Sequence, residues 1–100
     1  MRLAFKRRQE SDLYTQEKGA KKYPPEVVKA FFEVMSIIAA AHDERDLRAS
    51  RSLHFEKIKG GTQGERSLRL KHQYRLIVTI EEGKQGKCLL VHRIDAKHYQ

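Results

Sequence analysis

Polar and apolar residues alternate from Arg2 to Lys6 ("RLAFK"), the pattern of a short strand with one buried face. The next stretch, "RRQESDLYTQEKGAKKY", is polar. Leu13 and Tyr14 are its only large apolar anchors before Gly19 and Tyr23, which predicts a short helix or an irregular arm. The period then changes in "YPPEVVKAFFEVMSIIAAAH". Val27, Phe31, Val34, Ile38 and Ala41 recur at helical spacing, and Val28, Phe32 and Met35 widen the stripe. Pro25 suits a first helical position and Glu26 complements the positive helix N-terminus. "DERDLRAS" follows as a charged turn or second short helix, and then the segment "RSLHFEKIKGGTQGE". Three strand-like runs close the chain, at 66 to 70, 74 to 81 and 87 to 94, joined by "KHQ" and "EGKQG".

These elements predict an α+β fold in one domain spanning residues 1–100: a small twisted antiparallel sheet, made of the N-terminal strand and a C-terminal three-strand meander, packed by one long helix. The loop lengths carry a register. A loop of Lys71 to Gln73 pairs Leu70 with Tyr74, Arg69 with Arg75 and Leu68 with Leu76. A loop of Glu82 to Gly86 pairs Ile80 with Cys88, Val78 with Leu90 and Leu76 with His92, and sets Arg93 opposite Arg75. Arg69, Arg75 and Arg93 then share one face. Leu68, Leu70, Leu76, Val78, Ile80, Leu90 and Ile94 form the other, a seat for the helix.

Charge adds a partner class. The chain has 21 Lys and Arg against 13 Asp and Glu, a net +8 that attracts polyanions. Residues 51–100 carry +6 of this, so the basic surface belongs to the strands. Cys88 is the only cysteine, which excludes an internal disulfide and reads as a small buried hydrophobe. The start "MRLAFKRR" lacks the apolar stretch of a signal peptide, and no apolar run is long enough to cross a bilayer, so a cytoplasmic protein without membrane contact is expected.

Arginines facing one another across a sheet repel, and a bound anion relieves the repulsion. Their rigid donor forks suit phosphate, so the row reads as a phosphate seat, or else as side chains splayed into water or paired with Glu65, Glu81 and Asp95. Beside it "LHFEKIKGG" supplies His54, Glu56, Lys57 and Lys59, with Leu53, Phe55 and Ile58 as apolar anchors. A carboxylate among basic residues stays ionised and is available as a weak base. Of the five histidines, His42 ends a helix, His72 falls in a loop and His92 on the apolar face, leaving His54 and His98. None has the spacing of a zinc site, and neither metal nor cofactor is expected.

In order and spacing, "KKYPPEVVKAF", "DLRASRSLHFEKIKGG", "RSLRLKHQYRLIV" and "RIDAKHY" resemble the RelE/ParE toxin superfamily, in its HigB-type branch of plasmid-maintenance killer proteins. The resemblance covers roughly residues 20 to 99. It implies a toxin of a type II toxin–antitoxin system, an endoribonuclease that cuts mRNA in the ribosomal A site without metal. The implied partner is a HigA-like helix-turn-helix antitoxin, which would bring the toxin to operator DNA. By position, Glu56 falls where relatives have a catalytic Glu or His and Lys59 where they have a basic residue. Ser67 and Arg69 match an "S-x-R", Arg75 matches the arginine of "QYRLIV", and His98 with Tyr99 match the terminal His-Tyr element. The chain departs in two places: Glu65-Arg66 replace an aromatic before the "S-x-R", and Ala96-Lys97 separate Asp95 from His98.

The implied mechanism uses the RNA 2′-OH as nucleophile. Glu56 takes its proton, Arg69, Arg75 and Lys59 stabilise the phosphoryl charge, and His98 protonates the leaving oxygen. RNA contacts are expected from His54, Lys57, Arg66, Ser67, Arg93 and Tyr99. Two other functions fit the same composition: a ParE-like inhibitor of DNA gyrase, and a catalytically inactive antitoxin-binding module.

Overall fold

The computed structural model describes residues 1–58, 60 and 64–96. Lys59, His98 and Tyr99 lie outside them. Strand β1 (Arg2–Phe5) leads into helix α1 (Arg8–Gln16), a single 3-10 turn at Ala20–Lys22, and the long helix α2 (Pro25–Ala40). Helix α3 (Glu44–Ala49), a second 3-10 turn at Arg51–Leu53, and strands β2 (Glu56–Lys57), β3 (Arg66–Arg69), β4 (Arg75–Gly83) and β5 (Gly86–Asp95) come after it.

Helix α2 forms where the apolar spacing predicts it, with Pro25 at its first position and Glu26 in its first turn. Val27, Phe31, Val34, Met35 and Ile38 are buried, as the stripe requires. They pack on Leu68, Leu76, Val78, Leu89 and Val91 of the sheet in one continuous core. The polar segment after β1 is also ordered. In α1 Leu13 turns inward together with Glu10, which has no exposed surface and is gripped by Arg7 through Nε to Oε1 (2.9 Å) and Nη2 to Oε2 (2.6 Å). A two-point fork lets a carboxylate leave water here. Tyr14 stands between Phe5, at a centroid distance of 5.6 Å, and Phe31, at 6.3 Å edge-on, tying α1 to β1 and α2.

The sheet has five strands in the order β1-β5-β4-β3-β2. It differs from the predicted all-antiparallel sheet at one edge, where β1 runs parallel to β5 with Arg2 beside Cys88 and Phe5 beside Val91. Alternation assigns a strand's faces and not its direction. Direction is set by the next element in the chain, and here Lys6, whose amide donates to the Val91 carbonyl (2.8 Å), feeds straight into α1. At the other edge, β2 pairs Glu56 with Ser67 and Lys57 with Arg66, a strand too short for a sequence period to reveal.

The β3–β4 hairpin has the predicted register, Arg69 opposite Arg75 and Leu68 opposite Leu76. The β4–β5 hairpin does not. Its chain reverses through Lys84 and Gln85, with Gly86 at φ 97°, a conformation glycine adopts without cost, so Gly83 already pairs with Gly86. Ile80 therefore pairs with Leu89 and Val78 with Val91, and Leu89 and Val91 take the core positions expected for Leu90. A bulge then falls between Ile77 and Val78. Ile77 pairs with Arg93, Leu76 with Ile94 and Arg75 with Asp95, so His92 is the extra residue and Arg93 does not face Arg75 directly. Were His92 paired with Ile77 instead, the register would set Arg93 opposite Leu76, on the core face. The bulge restores the parity that buries Ile94 and turns Arg93 to the side of Arg75.

Candidate phosphate-binding face

On the sheet surface away from α2, register brings Glu56, Ser67, Arg69, Arg75, Ile77 and Arg93 together. Ile77 has no exposed surface yet lies outside the main core, so this face has an apolar floor of its own.

Arg75 is the best-anchored of the cations. Its Nε donates to Ser67 Oγ (3.0 Å) and its Nη2 to the His54 carbonyl (3.2 Å). Ser67 is buried, so the first bond also satisfies a hydroxyl removed from water. The second depends on His54, which ends the turn Arg51–Leu53 in the left-handed region (φ 47°, ψ 58°), a conformation that costs a non-glycine residue about 1 kcal/mol. Buried Leu53 holds that turn against the molecule. These bonds leave the other guanidinium N–H groups of Arg75 for a ligand. Arg69, directly across, is exposed and makes no ion pair among the described residues. Two opposed guanidiniums, one held by hydrogen bonds and one exposed, have the donor geometry that suits a tetrahedral anion.

Glu56 lies on the same face at the neighbouring strand, largely exposed, its Oε1 3.7 Å from His54 Nδ1. Arg93 is restrained by acids: its Nη1 lies 3.6 Å from Glu65 Oε2 and its Nε 3.4 Å from Asp95 Oδ2. The acid-paired reading of the arginine row thus applies to Arg93. Glu65, only 7% exposed, also lies 3.7 Å from His92 Nδ1. His92 is not on the apolar face as expected. The bulge directs its ring to Thr79 Oγ1 (3.0 Å) and Glu65, where burial, aided by the Lys6 charge and opposed by Glu65, holds its pKa below the usual 6.5.

Two expected RNA contacts fall elsewhere. Lys57 and Arg66 pair with each other across β2 and β3, one residue out of phase with Glu56 and Ser67, and so project from the opposite face. There Arg66 lines a hollow of about 250 Å³ with Glu44, Arg48 and Phe55. Sequence reasoning did not place Glu65 and Ile77 among the site residues. The signal for Glu65 is its spacing, two residues before Ser67 and four before Arg69. Among the described residues, no His, Cys, Asp and Glu group could hold a metal, and no helix is long and apolar enough to cross a membrane.

Comparison with known proteins gives concordant results. Residues 3–90 match the family model described as the RelE-like toxin of the type II toxin–antitoxin system HigB. The chain is 34% identical to Toxin HigB-1 of Vibrio cholerae serotype O1 over 83 residues, 83% of this chain and 87% of that protein. In fold it is similar to the YoeB/ParE toxin from Agrobacterium tumefaciens, with a TM-score of 0.58 over 98% of this chain and all of the other, at 16% identity.

Proposed function

The chain belongs to the HigB-like family of RelE-like toxins and is the toxin of a type II toxin–antitoxin system, and from that premise we propose that it is an endoribonuclease that cleaves mRNA on the ribosome. The observation that carries the proposal is Arg75, locked by Ser67 and His54 and opposed by Arg69, with the Glu56 carboxylate on the same face.

RNA brings its own nucleophile, so the protein has to position, move protons and stabilise charge. Glu56 accepts the 2′-OH proton as the 2′ oxygen bonds to the adjacent phosphorus. The bond from phosphorus to the 5′ oxygen breaks, leaving a 2′,3′-cyclic phosphate on one fragment, and His98 gives the departing oxygen a proton to make a 5′-OH on the other. Negative charge that builds on the phosphoryl oxygens falls to Arg75, Arg69 and Lys59. A well-placed donor of this kind contributes about 3 to 4 kcal/mol to the barrier. Arg75 is suited to this because its orientation is set before substrate arrives. Ser67 acts through Arg75, Tyr99 stacks on or positions the RNA, and Arg93, Lys57 and Arg66 add to the positive field that draws the strand in. An antitoxin is the expected neutralising partner, and we assign it a HigA-like helix-turn-helix architecture that links the toxin to operator DNA. The site of action is the cytoplasm, where translated mRNA is.

The test is inducible expression without antitoxin, with RNA 5′ ends mapped on translated and untranslated copies of one message. Cuts confined to the translated copy, and abolished in Arg75→Ala and strongly reduced in Glu56→Gln and His98→Ala, support the proposal. Intact mRNA with arrested supercoiling would instead identify a gyrase inhibitor, and intact mRNA with no toxicity an inactive antitoxin-binding module.

A further inference from the structure

A groove of about 340 Å³ adjoins the phosphate seat and shares Arg69 with it. It runs between α2 and the margin of β3, where the sheet ends: β2 covers β3 only at Arg66 and Ser67, so Arg69 and Leu70 line the groove as open edge. Its floor is apolar, from Val34, Leu53 and Leu70, all nearly buried. Its wall is Ile37, which at 39% exposure is the large hydrophobic side chain left in water among the described residues. The rim is polar, with His54, Arg69 and Lys71 on one side and Glu33 on the other.

We propose that this groove is a nucleobase subsite that receives the base of the nucleotide next to the scissile phosphate. The inference rests on the ribonuclease reading above and extends it to where the substrate strand goes. Continuity favours it, because Arg69 belongs to both the groove rim and the phosphate seat, and His54 lines the groove while its carbonyl anchors Arg75. A phosphate held between Arg69 and Arg75 therefore delivers its attached nucleoside to the groove mouth. Chemistry favours it as well. A base has a flat apolar face for Ile37, Val34 and Leu53, and edge acceptors and donors for Arg69, Lys71 and Glu33. The cationic excess of the rim suits a polyanionic strand, and the volume is at the lower end for a small-molecule site, about 300 Å³, enough for one nucleoside and not for a folded peptide segment.

The test compares cut-site composition in cells expressing the full chain, its Ile37→Gln and Ser52→Trp variants, and Ile37→Leu. Ile37 and Ser52 are exposed, so folding is checked by thermal unfolding and expected to be unchanged. In the wild type, one position beside the cut should show a base bias. Removing the apolar wall or filling the groove should flatten that bias and reduce cutting at preferred sites roughly tenfold, the scale on which apolar pockets discriminate. Ile37→Leu should keep both. Wild-type base bias and rate in Ile37→Gln and Ser52→Trp overturn the subsite while leaving the ribonuclease reading intact. So does loss of antitoxin neutralisation with unaltered cut-site composition, which would make the groove a protein-docking surface. A wild type that does not cut RNA at all overturns the underlying reading and the subsite with it.

Discussion

The two faces of the sheet are made from alternate residues of the same strands and obey different rules. On the α2 face, Leu68, Leu76, Val78, Leu89 and Val91 are sealed from solvent, and any side chain of about the right size and polarity would serve. On the other, Arg75 is held by Ser67 and the His54 carbonyl and faces Arg69, so each of these must stand at a particular position. One face tolerates substitution and the other tolerates exposure. The His92 bulge is where the two sets of requirements meet, because a single extra residue assigns Ile94 to the first face and Arg93 to the second.

The largest expected effects fall on Leu76 and Arg75, adjacent on β4 and facing opposite ways. Leu76→Ala should lose about 2 to 5 kcal/mol in urea unfolding, since Leu76 has no exposed surface, while toxicity falls only with the amount of folded protein. Arg75→Ala should show the reverse: a loss of about 1 kcal/mol from the Ser67 hydrogen bond, and a fall in cleavage of about 10² to 10³ in single-turnover assays on ribosome-bound message. Arg75→Lys should not recover it, because a lysine cannot donate to Ser67 and His54 and still present a fork to phosphate. Equal effects of the two alanine variants on stability and on cleavage would erase the distinction between the faces.

The same contrast explains how much of the molecule is legible in its sequence. The core face is written as period: the α2 stripe and the alternation in "RSLRL" and "YRLIVTIE" place most of its members without knowledge of tertiary structure. The pairing of Arg69 with Arg75 is also legible, because a three-residue connection leaves little freedom. The rest of the site depends on counts that composition does not show. "EGKQG" admits more than one turn because Gly83 and Gly86 flank Lys84 and Gln85, and the chain uses the shorter one with Gly86 in the left-handed region. A bulge has no hydropathy signature of its own, so His92 reads as a core residue. The shorter turn and the bulge offset each other in parity, which is why Arg93 reaches the predicted face by a different register. β2 is invisible to periodicity because Glu56 and Lys57 are strand residues only by virtue of Ser67 and Arg66 beside them. The direction of β1 depends on α1, whose inward-facing residues, Leu13 and Glu10, sit in a segment too polar to announce a helix.

The smallest expected effect separates the faces by pH. The buried members of the α2 face, Leu68, Leu76, Val78, Leu89 and Val91, do not titrate, so acid should act first through the other. His92 has a folded pKa below its ordinary 6.5 because burial and Lys6 disfavour the imidazolium more than Glu65 and Glu81 support it. Between the folded and unfolded values the unfolded chain binds more protons, so stability rises with pH there. The contribution is complete above about 6.5 and is lost as pH falls through the depressed folded value. Carboxylates respond lower down: Asp43, which caps α3 and is held at about 2 by Arg45, and Glu26, lowered by His72, add stability above their unfolded values near 3.8 and 4.5 and lose it below. A thermal unfolding series should show a shallow decline below pH 6.5 and a separate decline below pH 4.5. In His92→Asn the first should vanish and the second remain, because an amide keeps a hydrogen bond to Thr79 and cannot take the proton. If the upper decline survives that substitution, the acid-sensitive group lies elsewhere and His92 is only a bulge residue.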